Sequence, residues 1–148
     1  MLRETVTLSG DGASTIVRGA LAHAAKLGIL VSVAVCDAGG HLIAFQRADD
    51  AEIASVALAQ DKAFAALSNK MDTLDLGRQA QPGGPLYGIF STLGGRIVSF
   101  GGGVPVYSGH RLVGGVGVSG GSPEEDAACC RAGVDVAGLR TTPVETPP

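Results

Sequence analysis

Hydrophobic patterning predicts an α+β domain, a five-stranded antiparallel sheet flanked by helices. Two kinds of signal carry that expectation. Stretches of β-favouring residues fold back on themselves around Asp37-Ala38-Gly39-Gly40-His41 and again around Ser108-Gly109-His110. Segments beginning near Asp11, Asp49 and Pro123 place apolar side chains at helical spacing behind capping residues. At 148 residues and 45% hydrophobic content the chain suits one domain with one core.

In chain order, Thr5 to Leu8 reads as a short strand or an ordered arm. From Asp11 as N-cap, Ile16, Val17, Ala20, Leu21, Ala24 and Leu27 line one side of a helix that Gly28 ends. His23 lies near the edge of that stripe, a packing or surface position rather than a ligand. Ile29 to Val35 and Leu42 to Phe45 make the first hairpin, with Asp37 and the glycine pair forming its turn and His41 entering the second strand. A long helix runs from Asp49-Asp50 to about Lys70 without glycine or proline, its core stripe being Ile53, Val56, Ala57, Phe64 and Leu67. Lys62 points the other way, among Ser55, Leu58, Ala59, Ala65 and Ala66. A lysine on an alanine-lined face indicates either a partly buried groove or subunit contact, or a snorkelling side chain paired with Asp61, Glu52 or a neighbouring chain.

Met71 to Gly95 is the least regular part, with Gln81 to Pro85 a loop followed by Leu86, Tyr87, Ile89 and Phe90. Long loops in a small domain are commonly functional, so Tyr87 and Phe90 are candidate pocket walls, with core packing as the alternative. Arg96 to Phe100 is read as the third strand. The second hairpin then carries glycine at 114, 115 and 117, which calls for a helix, a subunit or a ligand lying close to its backbone. Ser122-Pro123-Glu124-Glu125 opens the last helix with a cap, a proline and a capping-box glutamate. Gly115, Gly117 and Gly120 match GxGxxG, but no following strand brings a ribose-binding acid, and three acidic residues fill the first helical turn, so no nucleotide cofactor is expected. The domain spans 1–139, and 140–148 reads as a disordered tail.

The segments GGVPVYSGHRLVGGVGVSGGSPEED, VSVAVCDAGGHLIAFQRADDA and LAQDKAFAAL together resemble the GlcG/HbpS family, also called the haem-degrading-domain family, from about Ser14 to Ala137. The resemblance implies a profilin-like (GlcG-like) fold and oligomerisation. It also implies mixed functions: some members bind haem, one branch is fused to a cobalamin adenosyltransferase, and at least one member is a hydroxylaminobenzoate lyase. DAGGHLIAF is a common form of the family's first turn, and Asp61-Lys62-Ala63 matches a helix motif in which the lysine recurs.

A net charge of −3 argues against a nucleic-acid partner. Three cysteines, Cys36, Cys129 and Cys130, indicate no disulfide framework and suit the cytoplasm. No apolar run reaches membrane-spanning length, and no zinc-site spacing or Ser-His-Asp pattern is present. The candidate ligand-binding residues are Asp37, His41, Arg47, Lys62, Tyr87 and Phe90. In the preferred reading a homo-oligomer binds haem or a related tetrapyrrole, with His41 as iron ligand and Arg47 or Lys62 pairing the propionates. In the alternative, a cofactor-independent lyase or isomerase acts on a small anionic substrate. Arg47 then holds its carboxylate, Lys62 serves as general acid or base, and Tyr87 or Glu124 is the partner in proton transfer. A third reading is an accessory subunit without a ligand.

Overall fold

A computed structural model describes residues 1–146. The chain runs α1 (Gly10–Leu27), β1 (Ser32–Asp37), β2 (Leu42–Arg47), α2 (Ile53–Asn69), α3 (Thr73–Gln79), β3 (Gly103–Ser108), β4 (Arg111–Ser119) and α4 (Pro123–Val136). Two 3₁₀ turns, Ile89–Ser91 and Leu93–Gly95, lie between α3 and β3. The four strands form one antiparallel sheet in the order β2-β1-β4-β3. No helix among the described residues is long and apolar enough to cross a membrane.

Strand alternation sorts the two faces of the sheet by side-chain size. Val33, Val35, Val116 and Val118 point to one face, where Ile16 and Ala20 of α1 and Cys130 and Val134 of α4 cover them. Each such buried valine contributes about 1.5–3 kcal/mol relative to exposure. Ala34, Cys36, Gly115 and Gly117 make the other face, and α2 lies directly on it through Ala59, Ala63 and Leu67. A methyl group at Gly117 would overlap the carbonyl oxygen of Ala59, and one at Gly115 would overlap that of Ala63. The close neighbour required by the glycines of β4 is therefore a helix of the same chain.

That packing corrects the expected orientation of α2. The buried residues are Ser55, Ala59, Lys62, Ala63, Ala65, Ala66 and Leu67, whereas Ile53, in the expected core stripe, is 91% exposed. The alanine-lined face holding Lys62 is the seam with the sheet, since only small side chains let a helix backbone approach the glycines.

The strand expected over Arg96 to Phe100, third of the five, is irregular chain, for reasons found along the outer edge of β3. There the Gly103 amide donates to Thr73 Oγ1 at 2.8 Å, Pro105 has no N–H, and Tyr107 exchanges backbone hydrogen bonds with Arg140. Ile97 instead packs with Ala65 and Leu76. Other boundaries shift locally. Helix α1 is capped by Ser9, whose hydroxyl accepts from the Gly12 amide, so Asp11 sits inside the first turn instead of at the cap. Helix α3 occupies part of the segment read as irregular, with Asp72 Oδ1 accepting from the Leu74 amide. In the expected tail, Arg140 pairs with Tyr107 and the Val144 amide donates to Gly109, while 147–148 lie outside the described residues.

Candidate functional site

The first hairpin turn builds an oriented histidine. Asp37 Oδ1 accepts from the Gly39 amide at 2.9 Å and the His41 amide at 3.0 Å, closing the turn. The same carboxylate holds the His41 ring, with Nδ1 3.1 Å from Oδ1 and 3.3 Å from Oδ2. Burial alone would raise the Asp37 pKa, but the hydrogen bonds from His41 and Gly39 and the nearby imidazole outweigh it and hold the carboxyl below its ordinary value. Nδ1 therefore carries the proton towards the carboxylate. Nε2 makes no hydrogen bond among the described residues, and the side chain is 78% exposed.

Aromatic and cationic groups border this turn. A methyl group on Gly40 would touch the Phe64 ring at 3.4 Å, so α2 presents that ring beside the turn. The Arg96 guanidinium stacks on Phe64, 3.8 Å from the ring centroid, and pairs with Asp61 at 3.2 Å. Thr5, Thr7, Ala38 and Gly39 line a shallow cleft of about 290 Å³ on the His41 side. The turn is braced from behind, where the Ala38 amide donates to Thr7 Oγ1. The turn thus presents an imidazole anchored at Nδ1 and free at Nε2, and its Gly40 abuts the Phe64 ring on which Arg96 stacks.

Lys62 lies in a second cluster and is 1% exposed. Its ammonium donates to Asp126 Oδ2 at 3.0 Å and to the Val118 carbonyl at 2.9 Å, with the Phe100 ring centroid 5.1 Å away. Asp126 Oδ1 accepts from the Gly121 amide at 2.8 Å. Gly102, at φ +119°, passes over the pair, and a methyl group there would come within 2.6 Å of Lys62 Nζ. The buried pair thus ties α2, β4, α4 and the glycine run into one unit. Lys62 pairs with neither Asp61 nor Glu52, the intrachain partners weighed from sequence.

The remaining candidates are dispersed. Arg47 donates to the Ala51 carbonyl within its own loop. Tyr87 and Phe90 form an edge-to-face pair, 62% and 48% exposed, so they are not core side chains. Glu124 lines a cleft of about 290 Å³ with Arg78, Phe100 and Pro123. Sequence patterning does not single out Asp126, Phe64 or Arg96. Asp126 carried a signal as a third acidic residue in a turn whose capping box uses only Glu125, but its partner is 64 residues away. A strand beginning at Arg96 conceals its stacking on α2.

Comparison with known proteins follows the fold closely. The family model described as haem degrading protein HbpS-like matches residues 8–135. An uncharacterized 15.0 kDa protein of Citrobacter freundii is 36% identical over 88% of this chain and 91% of its own length. Protein GlcG of Escherichia coli K12 is 34% identical over 80% of this chain and 85% of its own. The corrinoid adenosyltransferase PduO of Salmonella typhimurium is 40% identical over 82% of this chain, which spans 36% of that relative. A crystal structure titled as a PduOC:heme complex superposes with TM-score 0.88 at 36% identity, covering 93% of this chain and 99% of that one. The crystal structure of HbpS does so with TM-score 0.83 at 32% identity, covering 91% and 93% respectively. With the matched segment reaching from the arm before α1 to the end of α4, the chain belongs to the HbpS-like family, the GlcG/HbpS proteins.

Proposed function

We propose that this protein binds haem or a related tetrapyrrole at the Asp37 to His41 turn, whose Gly40 abuts the Phe64 ring on which Arg96 stacks. The observation that carries the reading is the His41 ring, anchored through Nδ1 to Asp37 and unengaged at Nε2. A bound haem would supply iron redox and ligand chemistry; His41 Nε2 would hold the iron, the Phe64 ring would serve as an apolar wall and Arg96 would pair with a propionate. Support comes from the 36% identical PduOC domain, whose structure was determined as a haem complex. Arg96 takes the propionate role expected of Arg47 or Lys62, because it stacks on the ring that abuts the turn, whereas Lys62 is buried against Asp126. One chain gives the turn only a shallow cleft, so a homo-oligomer completes the shelter, and exposed Tyr87, Phe90 and Leu93 are its candidate contacts. Three free, buried thiols suit a cytoplasmic setting.

Titration of the purified protein with haemin tests this directly. A saturable Soret band that His41→Ala abolishes is the expected result; weak, nonsaturating absorbance unchanged by the substitution would refute it.

A second reading, a lyase or isomerase acting on a small anionic substrate, rests on the cleft beside Phe100. Arg78 there takes the carboxylate role expected of Arg47, and Glu124 is the exposed acid. Turnover of hydroxylaminobenzoate, lost in Glu124→Gln, would establish it. Failure of both assays would leave the accessory-subunit reading.

A further inference from the structure

The two edges of the sheet are finished differently. Along β3, Thr73 Oγ1 takes the Gly103 amide, Pro105 has no N–H and Arg140 pairs with Tyr107, so that edge is largely closed to a further strand. Along β2 none of these devices is present. The Ala48 amide donates inward to the Val31 carbonyl, and by the alternation of an antiparallel ladder Gln46, opposite Val33, also faces β1. The N–H and C=O groups of Phe45 and Arg47 therefore point away from the sheet, with no backbone partner among the described residues. One irregularity, a bulge opposite Val35 that gives β2 an extra residue at Ile43, lies nearer the hairpin turn. The strand contains no proline, and its one charged side chain, Arg47, is drawn back onto the Ala51 carbonyl.

We infer that β2 joins two copies of this chain, the two β2 strands lying antiparallel about a two-fold axis so that their sheets become one. A single register satisfies all the free backbone groups: Phe45 opposite the partner's Arg47, and Arg47 opposite the partner's Phe45. The neighbouring registers, with Phe45 or Arg47 set against its own copy, would engage half of them. In the full register Gln46 meets the partner's Gln46 on the axis. A glutamine amide both donates and accepts, so that pair is self-complementary. Gln46 also has room to adjust, because it lines an open cleft of about 370 Å³ with Ser14 and Arg18. Phe45 and Arg47 lie across from Ala34 and Ser32, on the face that α2 covers. Each phenyl ring, 37% exposed in one chain, then has an arginine stem beside it, and no like charges stand opposite. The inference uses neither the haem-binding reading nor a contact through Tyr87, Phe90 and Leu93.

Substitutions at exposed Gln46 test the register and spare the core. Sedimentation of the wild type should give an even multiple of the 14.8 kDa chain mass. Gln46→Cys should yield a disulfide-linked dimer on mild oxidation, since facing residues of a non-hydrogen-bonded antiparallel pair have Cα atoms about 4.5 Å apart, within disulfide reach. The native thiols are buried and should stay silent, and Ser68→Cys, exposed on α2, should not cross-link. Gln46→Glu and Gln46→Lys each set like charges together on the axis and should weaken association on the order of tenfold or more. Mixing the two should restore it. A wild type of single-chain mass, no cross-link through position 46, or charge variants that assemble as the wild type would overturn the inference. An assembly held only by Tyr87, Phe90 and Leu93 would give the last two results. A Soret band lost in His41→Ala alongside a single-chain wild type would sink this inference and leave the haem reading standing.

Discussion

Lys62 and Asp126 are 1% and 2% exposed, and each is held by the other and by a backbone partner. A buried charge whose partner is removed cannot recover its hydration, so Lys62→Met should lower stability by about 3–5 kcal/mol. Replacing both charges, as in Lys62→Met with Asp126→Leu, should recover most of that loss. Urea unfolding midpoints measure both variants, and a single variant within about 1 kcal/mol of wild type would contradict the assigned role. The Asp37 carboxylate behaves differently because it is near the surface. Its folded pKa lies below the ordinary 3.8, so its contribution is present in full above that value and disappears as pH falls through the lower folded value. The stability difference between wild type and Asp37→Asn should therefore be constant near neutrality and shrink in acid below about pH 4. Both residues could be singled out in the sequence, Lys62 by its alanine surroundings and Asp37 by the turn. Their partners were less legible: His41 followed from a local motif, whereas Asp126 required the tertiary fold.

Helix α2 gains its place from glycines in β4 more than 50 residues later, so its own sequence does not announce which side is buried. Both sides are rich in alanine, and the large residues Ile53, Val56 and Phe64 suggested the wrong face. Gly117→Ala should force the helix backbone off the sheet and cost about 1–3 kcal/mol or more. Gly10→Ala, where a methyl group meets nothing within 4 Å, should be nearly neutral in the same thermal or urea unfolding assay. Helix α4 was legible at its first residue, because the capping box between Ser122 and Glu125 is a local device written in four positions. The missing strand was not legible from its own residues, since Arg96 to Phe100 has strand-like composition. The signal lay in Pro105, which marks β3 as an edge.

Across the molecule, α1 and α4 cover the valine face of the sheet and α2 covers its small-residue face, leaving the first hairpin turn at the border of α2. The interior also seals the thiols. Burial pushes Cys36 and Cys129 up to about 11 and Cys130 well above its ordinary value, so all three should resist a disulfide reagent at neutral pH and react once urea unfolds the chain. Fold and family were readable from the ordered motifs, whereas the border between turn and helix was not, because Phe64 and Arg96 meet only in three dimensions. On the proposed reading, this border binds haem through His41. Determining the structure of the haemin complex addresses it most directly. The iron should be bonded to His41 Nε2 with Arg96 at a propionate; iron held by another residue, such as His23, would contradict the account.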